Sequence, residues 1–160
     1  MFAHGASGET TTNMASDLLG CKLFCSGVLD ISAGTPAFGI IVPAIPTGWG
    51  IYGAGLVYTV NCAAAAGGTI QIGISEGVAA TNDADAIVAA YTTGALATIL
   101  AGTEEIFTLE NTLRGTTPQS GGRPVVPAGF SVTYTLAAGA GGQTGDVKLY
   151  VAAFPFEPGQ

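Results

Sequence analysis

Charge is what this sequence has least of. Asp, Glu, Lys and Arg make up 9% of its 160 residues, against 48% hydrophobic. Long amphipathic helices draw on Glu, Lys, Arg and Leu, so their scarcity argues against a helical fold. The four cations, Lys22, Arg114, Arg123 and Lys148, are far apart in the chain. Phosphate recognition needs them clustered, so nucleic acid is not expected as a partner. The one histidine, His4, stands near the N-terminus in an aperiodic stretch, upstream of every strand-like run. Unbroken apolar length is also missing. Ile31 to Ser75 carries no charged residue, but Pro36, Pro43, Pro46 and glycines 48, 50, 53 and 55 interrupt it, which excludes a spanning helix and gives no reason to expect a membrane. Residues 1–20 contain neither Lys nor Arg nor a long apolar run, so no export signal is expected and the chain reads as made and kept in a cytoplasm.

Three cysteines, Cys21, Cys25 and Cys62, cannot all pair within one chain, and the first two are four residues apart rather than in a C-x-x-C arrangement. Reduced thiols are the expectation. A zinc site formed by these three and His4 would complete a tetrahedron, but its spacing fits no usual ligand knuckle, and no metal or cofactor is expected.

What is abundant is glycine, 25 residues of it, together with alanine, threonine and β-branched residues. Residues 1–20 are small, polar and aperiodic and read as a flexible N-terminal arm, leaving residues 21–160 as a single domain. From Lys22 onward the chain is cut into short β-like runs: Leu23 to Ser32, Ala37 to Ala44, Gly50 to Asn61, Thr69 to Ser75, Ala95 to Ala101, Glu104 to Glu110, Phe130 to Ala137 and Val147 to Phe154. Eight runs in one all-β domain imply a sandwich or barrel. Ile70, Ile72 and Ile74, and again Phe130, Val132, Tyr134 and Leu136, alternate with small or polar residues, which assigns them to the core face. Pro46-Thr47-Gly48, Ala66-Gly67-Gly68, Ser120-Gly121-Gly122 and Pro127-Ala128-Gly129 carry turn chemistry. Asp83 to Tyr91, capped by Asn82 or Asp83, is predicted as one short helix between strands. Asn111 to Pro127 is a long Gly- and Pro-rich loop holding two of the four cations, the kind of loop that is functional or held by a neighbour.

Several stretches imitate catalytic motifs. Gly73-Ile74-Ser75-Glu76-Gly77 fits the G-x-S-x-G elbow of α/β hydrolases, but that chemistry needs a histidine after the serine and His4 precedes it. Gly48-Trp49-Gly50-Ile51-Tyr52-Gly53 fits the dinucleotide fingerprint G-x-G-x-x-G. Residues 54–60 then read as strand rather than helix, so no helix N-terminus would meet a pyrophosphate, and a glycine-rich hairpin or bulge is the reading. Asp83 and Asp85 with Asn82 offer oxygen ligands without the rest of a calcium loop. Glu104 and Glu105 are strand neighbours that point to opposite faces and cannot flank one bond. No catalytic residue is assigned, and the chain is read as a non-enzyme. Trp49 fits either a core position or an interface.

The order of features from about Gly39 to Phe154 resembles small phage jelly-roll proteins of the head decoration, or capsid cement, type. It is carried by Ile45-Pro46-Thr47-Gly48 entering a strand that ends Leu56-Val57-Tyr58-Thr59-Val60. Gly68 to Ser75 and then Asn82-Asp83-Ala84-Asp85-Ala86-Ile87-Val88 come next, and Val126-Pro127-Ala128-Gly129 leads into Phe130 to Leu136. Gly145 to Val151 completes the series. The resemblance implies an eight-stranded jelly-roll-like β-sandwich, a homotrimer bound to the major capsid protein on the outer surface of the virion, and a stabilising role without catalysis. A β-rich tail or spike module that binds a host receptor or glycan is the competing reading. Sparse charge independently favours packing against other subunits, because a neutral Thr, Ser, Gly and Ala surface is cheap to desolvate. The candidate partner contacts are Phe2, His4 and Met14 in the arm, Arg114 and Arg123 in the long loop, and Phe154 and Phe156 in the tail.

Overall fold

The computed structural model describes residues 20–32, 37–63, 68–76, 83–93, 99–109, 124–137 and 144–155. The elements are β1 (Lys22–Asp30), β2 (Ala37–Val42), β3 (Trp49–Tyr58), β4 (Thr69–Ser75), β5 (Asp83–Thr92), β6 (Glu104–Ile106), β7 (Val125–Val126), β8 (Ser131–Ala137) and β9 (Asp146–Pro155). One sheet runs β1-β9-β3-β6 with the two-residue β7 beside β3, and the other runs β2-β8-β4-β5, every pairing antiparallel. Setting β7 aside, the chain changes sheets in the two-Greek-key pattern of a jelly roll, so the expected all-β sandwich is what forms.

The core is the interface of the two sheets. β9 sends Val147, Leu149, Val151 and Ala153 inward, all fully buried, and β3 adds Ile51, Ala54, Leu56 and Tyr58 in register with them. Across from these stand Ile70, Ile72 and Ile74 of β4 with Val132 and Leu136 of β8, the alternation the sequence displays. Trp49 is a core residue. Its ring meets Phe24 edge-on at 5.2 Å and its Nε1 donates to the Pro43 carbonyl at 2.7 Å, so the polar handle of the buried indole is satisfied. Ser26 does similar work at the β1 bulge, where its Oγ accepts from the Leu149 amide at 2.9 Å in place of a ladder carbonyl.

Two expectations are corrected. Asp83 to Tyr91 is not a helix but most of β5, a ten-residue strand with two bulges against β4. Alanine and a capping acid favour a helix locally, but the exposed edge of β4 needed a partner, and burying Ala86, Ile87 and Val88 there outweighs propensity. The expected strand Ala95 to Ala101 is also absent in its described part: Ile99 forms an isolated bridge to Cys62 and residues 101–102 turn, residues 94–98 lying outside the described set. The described end of the Asn111 to Pro127 loop holds β7, too short to read from sequence. The turns at Gly48 and Gly129 form as expected, with φ of 81° and 83° and amides donating to the Ile45 carbonyl.

Cross-strand partners explain the strand glycines. Gly50 faces Phe154, Gly55 faces Tyr150 and Gly39 faces Tyr134, and in each case the aromatic ring occupies the space a Cβ would take. At Gly39 a Cβ would sit 2.6 Å from the Tyr134 ring. The ring covers the bare backbone of its partner and fixes the register of the pair. Gly50→Ala should therefore cost about 1–3 kcal/mol through overpacking. In a Phe154→Ala background the same change should be neutral or stabilising, because alanine then loses less backbone entropy than glycine. Urea denaturation of the four proteins should give a coupling well above the roughly 0.5 kcal/mol of independent sites, and additivity would contradict the pairing.

Candidate interaction surface

A sandwich presents four sheet edges and two outer faces to its surroundings. The β1-β9-β3-β6 face is charged and covered by rings. Asp30, Asp146, Lys148 and Glu104 stand on it, and Tyr150 crosses β3 over Gly55 so that its hydroxyl donates to Glu104 Oε1 at 2.5 Å. Burial first, and then the bonded Glu104 carboxylate, push the Tyr150 phenol well above the ordinary tyrosine range. Phe154 lies over Gly50 on this face. Glu105 takes the face of Leu56 and Glu104 the face of Val57, so the two carboxylates diverge as expected.

The β2-β8-β4 face differs. Phe38 and Ile40 of β2, Ser131, Thr133, Thr135 and Ala137 of β8, and Thr69, Gln71, Gly73 and Ser75 of β4 share it by register, and none is charged. Phe38 is 57% exposed and Ile40 59%. At the far side the backbone of Asp83 and Ala84 passes so close over Gly73 that a side chain there would collide with it. This close approach accounts for the first glycine of the G-x-S-x-G imitation, and Ser75 is the last residue of β4, opposite Ser131. The G-x-G-x-x-G imitation is resolved in the same way: Gly48 is a turn, Gly50 lies under Phe154 and Gly53 marks a bulge in an antiparallel strand.

Of the candidate contacts, Phe154 is described; Phe2, His4, Met14, Arg114, Arg123 and Phe156 lie outside the described residues, as does the N-terminal arm to residue 19. Cys21, Cys25 and Cys62 form no disulfide, and among the described residues no group of three His, Cys, Asp or Glu side chains could hold a metal ion. Sequence reasoning missed Phe38 and Ile40. Their signal was the run Ala37 to Val42, AFGIIV, which has no polar residue at all and so could not have one dry and one wet face.

The other long edge, β5, carries Asp83 and Asp85, two residues apart. Burial first, then the hydrogen bond and the charge of Asp85, raise the Asp83 carboxyl above the ordinary aspartate range. No family model matches the chain, and no curated protein matches it. Among solved structures, a chain of the cyanophage Pam1 capsid asymmetric unit aligns over 95% of this chain and 96% of that chain, at 15% identity and a TM-score of 0.48. That likeness carries no functional argument.

A raised folded-state pKa means that the Asp83 contribution to stability is complete below the unfolded value, about 3.9, and is lost as pH rises through the folded value. At neutral pH the pair is therefore a liability. Asp85→Asn should be more stable than the parent in urea at pH 7, with the difference closing on acidification to about pH 3.5. A difference that is the same at both pH values would contradict the charge origin.

Proposed function

We propose that this chain is a non-enzymatic virion structural protein: a decoration or cement subunit of a phage head that binds the major capsid protein on the outer surface of the shell and stabilises it. In this reading it is made in the host cytoplasm and acts as a homotrimer. The observation that carries the reading is the uncharged β2-β8-β4 face with Phe38 and Ile40 open on it, in a chain of net charge −7. A charge-poor surface ending in exposed large apolar side chains is costly to leave in water and suits contact with protein. The order of turns and strands that resembles head decoration proteins supports the same reading. The arm residues Phe2, His4 and Met14 are proposed as anchors ordered on the shell, Arg114 and Arg123 as loop contacts, and Phe154 and Phe156 as tail contacts.

The test is co-sedimentation of the purified chain with heads that lack it. The full chain should pellet saturably. Deleting residues 1–16 should leave the circular dichroism unchanged, because β1 begins at Lys22, and should reduce retention at equal concentration. A full chain that stays in the supernatant would contradict the proposal. Equal retention of the two chains would move the contact from the arm to the loop or tail.

A further inference from the structure

β9 lies along the whole length of β3 on one side. The other side of β3 is met by two fragments, β6 opposite Gly55 to Val57 and β7 opposite Trp49 and Gly50, both antiparallel to it. The fragments therefore point the same way along one line, in chain order. Hydrogen bonds extend that line from each fragment toward the other. The Phe107 amide donates to the Ala54 carbonyl, and the Ile51 amide donates to the Pro124 carbonyl, each at 2.9 Å. Between these anchors lie Tyr52 and Gly53, where β3 bulges against β9. β9 passes from Tyr150, opposite Gly55, to Phe154, opposite Gly50, in four steps. The chain on the other side takes nineteen, from Ile106 to Val125, an excess of fifteen residues.

We propose that β6 and β7 are the two halves of one edge strand, and that the fifteen-residue insertion between them blocks a second copy of this chain from pairing along that edge. Without the insertion, residues 103–107 and 123–126 would form one nine-residue strand against β3. The bonds at Phe107 and Pro124, with that from the Tyr58 amide to the Thr103 carbonyl at 3.0 Å, turn the backbone of these three edge residues toward β3. By the alternation of an antiparallel ladder, Glu104, Ile106 and Val125 turn their amides and carbonyls outward. A long outward row is a template for another strand, whereas halves of three and two residues are not. Such an edge is self-complementary. Two of them pairing antiparallel set the glutamate end of each against the valine end of the other, so the carboxylates stay apart. The insertion burdens the fold little, since β3 holds both its ends and loop-closure entropy grows slowly with length. None of this depends on attachment to a head.

The test is sedimentation velocity on the full chain and on a chain lacking residues 108–122, which joins Phe107 to Arg123. The deletion removes the partly buried Leu109, so Tm should fall somewhat, while the sheet circular dichroism and a single unfolding transition remain. The shortened chain should self-associate roughly ten-fold or more tighter than the full chain. Val125→Pro in the shortened chain should undo that gain, because it removes an outward amide and none that β3 uses. A folded shortened chain that associates no more tightly than the parent overturns the inference, and so does a gain that survives Val125→Pro. Replacing residues 108–122 by fifteen Gly and Ser residues covers the case in which the shortened chain does not fold. That chain should match the parent in circular dichroism and in association, because only the interruption matters. If it is unfolded, or newly associates, the inference is overturned.

Discussion

A ring can lie flat across a neighbouring strand only where the residue opposite has no Cβ, and this constraint organises both sheets. Phe154 on Gly50 and Tyr150 on Gly55 lock β9 to β3, the central pair of one sheet, and Tyr134 on Gly39 locks β8 to β2 at the edge of the other. A slip of one residue in β9 would put both rings into the core and drive Leu149 and Val151 into water. Glycine in a strand costs about 0.5–1 kcal/mol relative to alanine. A good cross-strand pair returns roughly 0.2–1 kcal/mol, so the rings approximately offset the glycines rather than adding net stability. Their effect is specificity of register.

The same economy shapes the surface. Among the described residues, most of the charge stands on the β1-β9-β3-β6 face and on the edges of β1, β5 and β6. The β2-β8-β4 face is left neutral, with its two large apolar residues on the only edge, among the described residues, that no charge protects. Surfaces of this kind are unfavourable in isolation and are completed by protein contact.

Most of the sheet structure was legible in the sequence because its signal is local. The isoleucines of β4 and the alternation of β8 announce a period of two, and Thr69–Ser75 falls on the same residues in both readings. β5 was not legible, because alanines beside a capping aspartate are also a helix signal and only the unpaired edge of β4 decides between them. The glycines of β3 were read as a hairpin or bulge; the bulge forms and the hairpin does not, since β2 and β3 lie in different sheets, and the reason for the glycines was not visible, because the partner rings lie about a hundred residues later in the chain. Phe38 and Ile40 escaped for a related cause. A uniformly apolar strand reads as buried on both sides, and only its place at a sheet edge exposes one of them.

The proposed role requires this jelly roll to be built into a phage head in many copies. Quantitative mass spectrometry of purified particles, giving the ratio of this chain to the major shell protein, tests it most directly. The predicted result is a high, fixed ratio that is the same from one preparation to the next. Absence from the particles, or the few copies per particle that a tail or spike module would show, would contradict it.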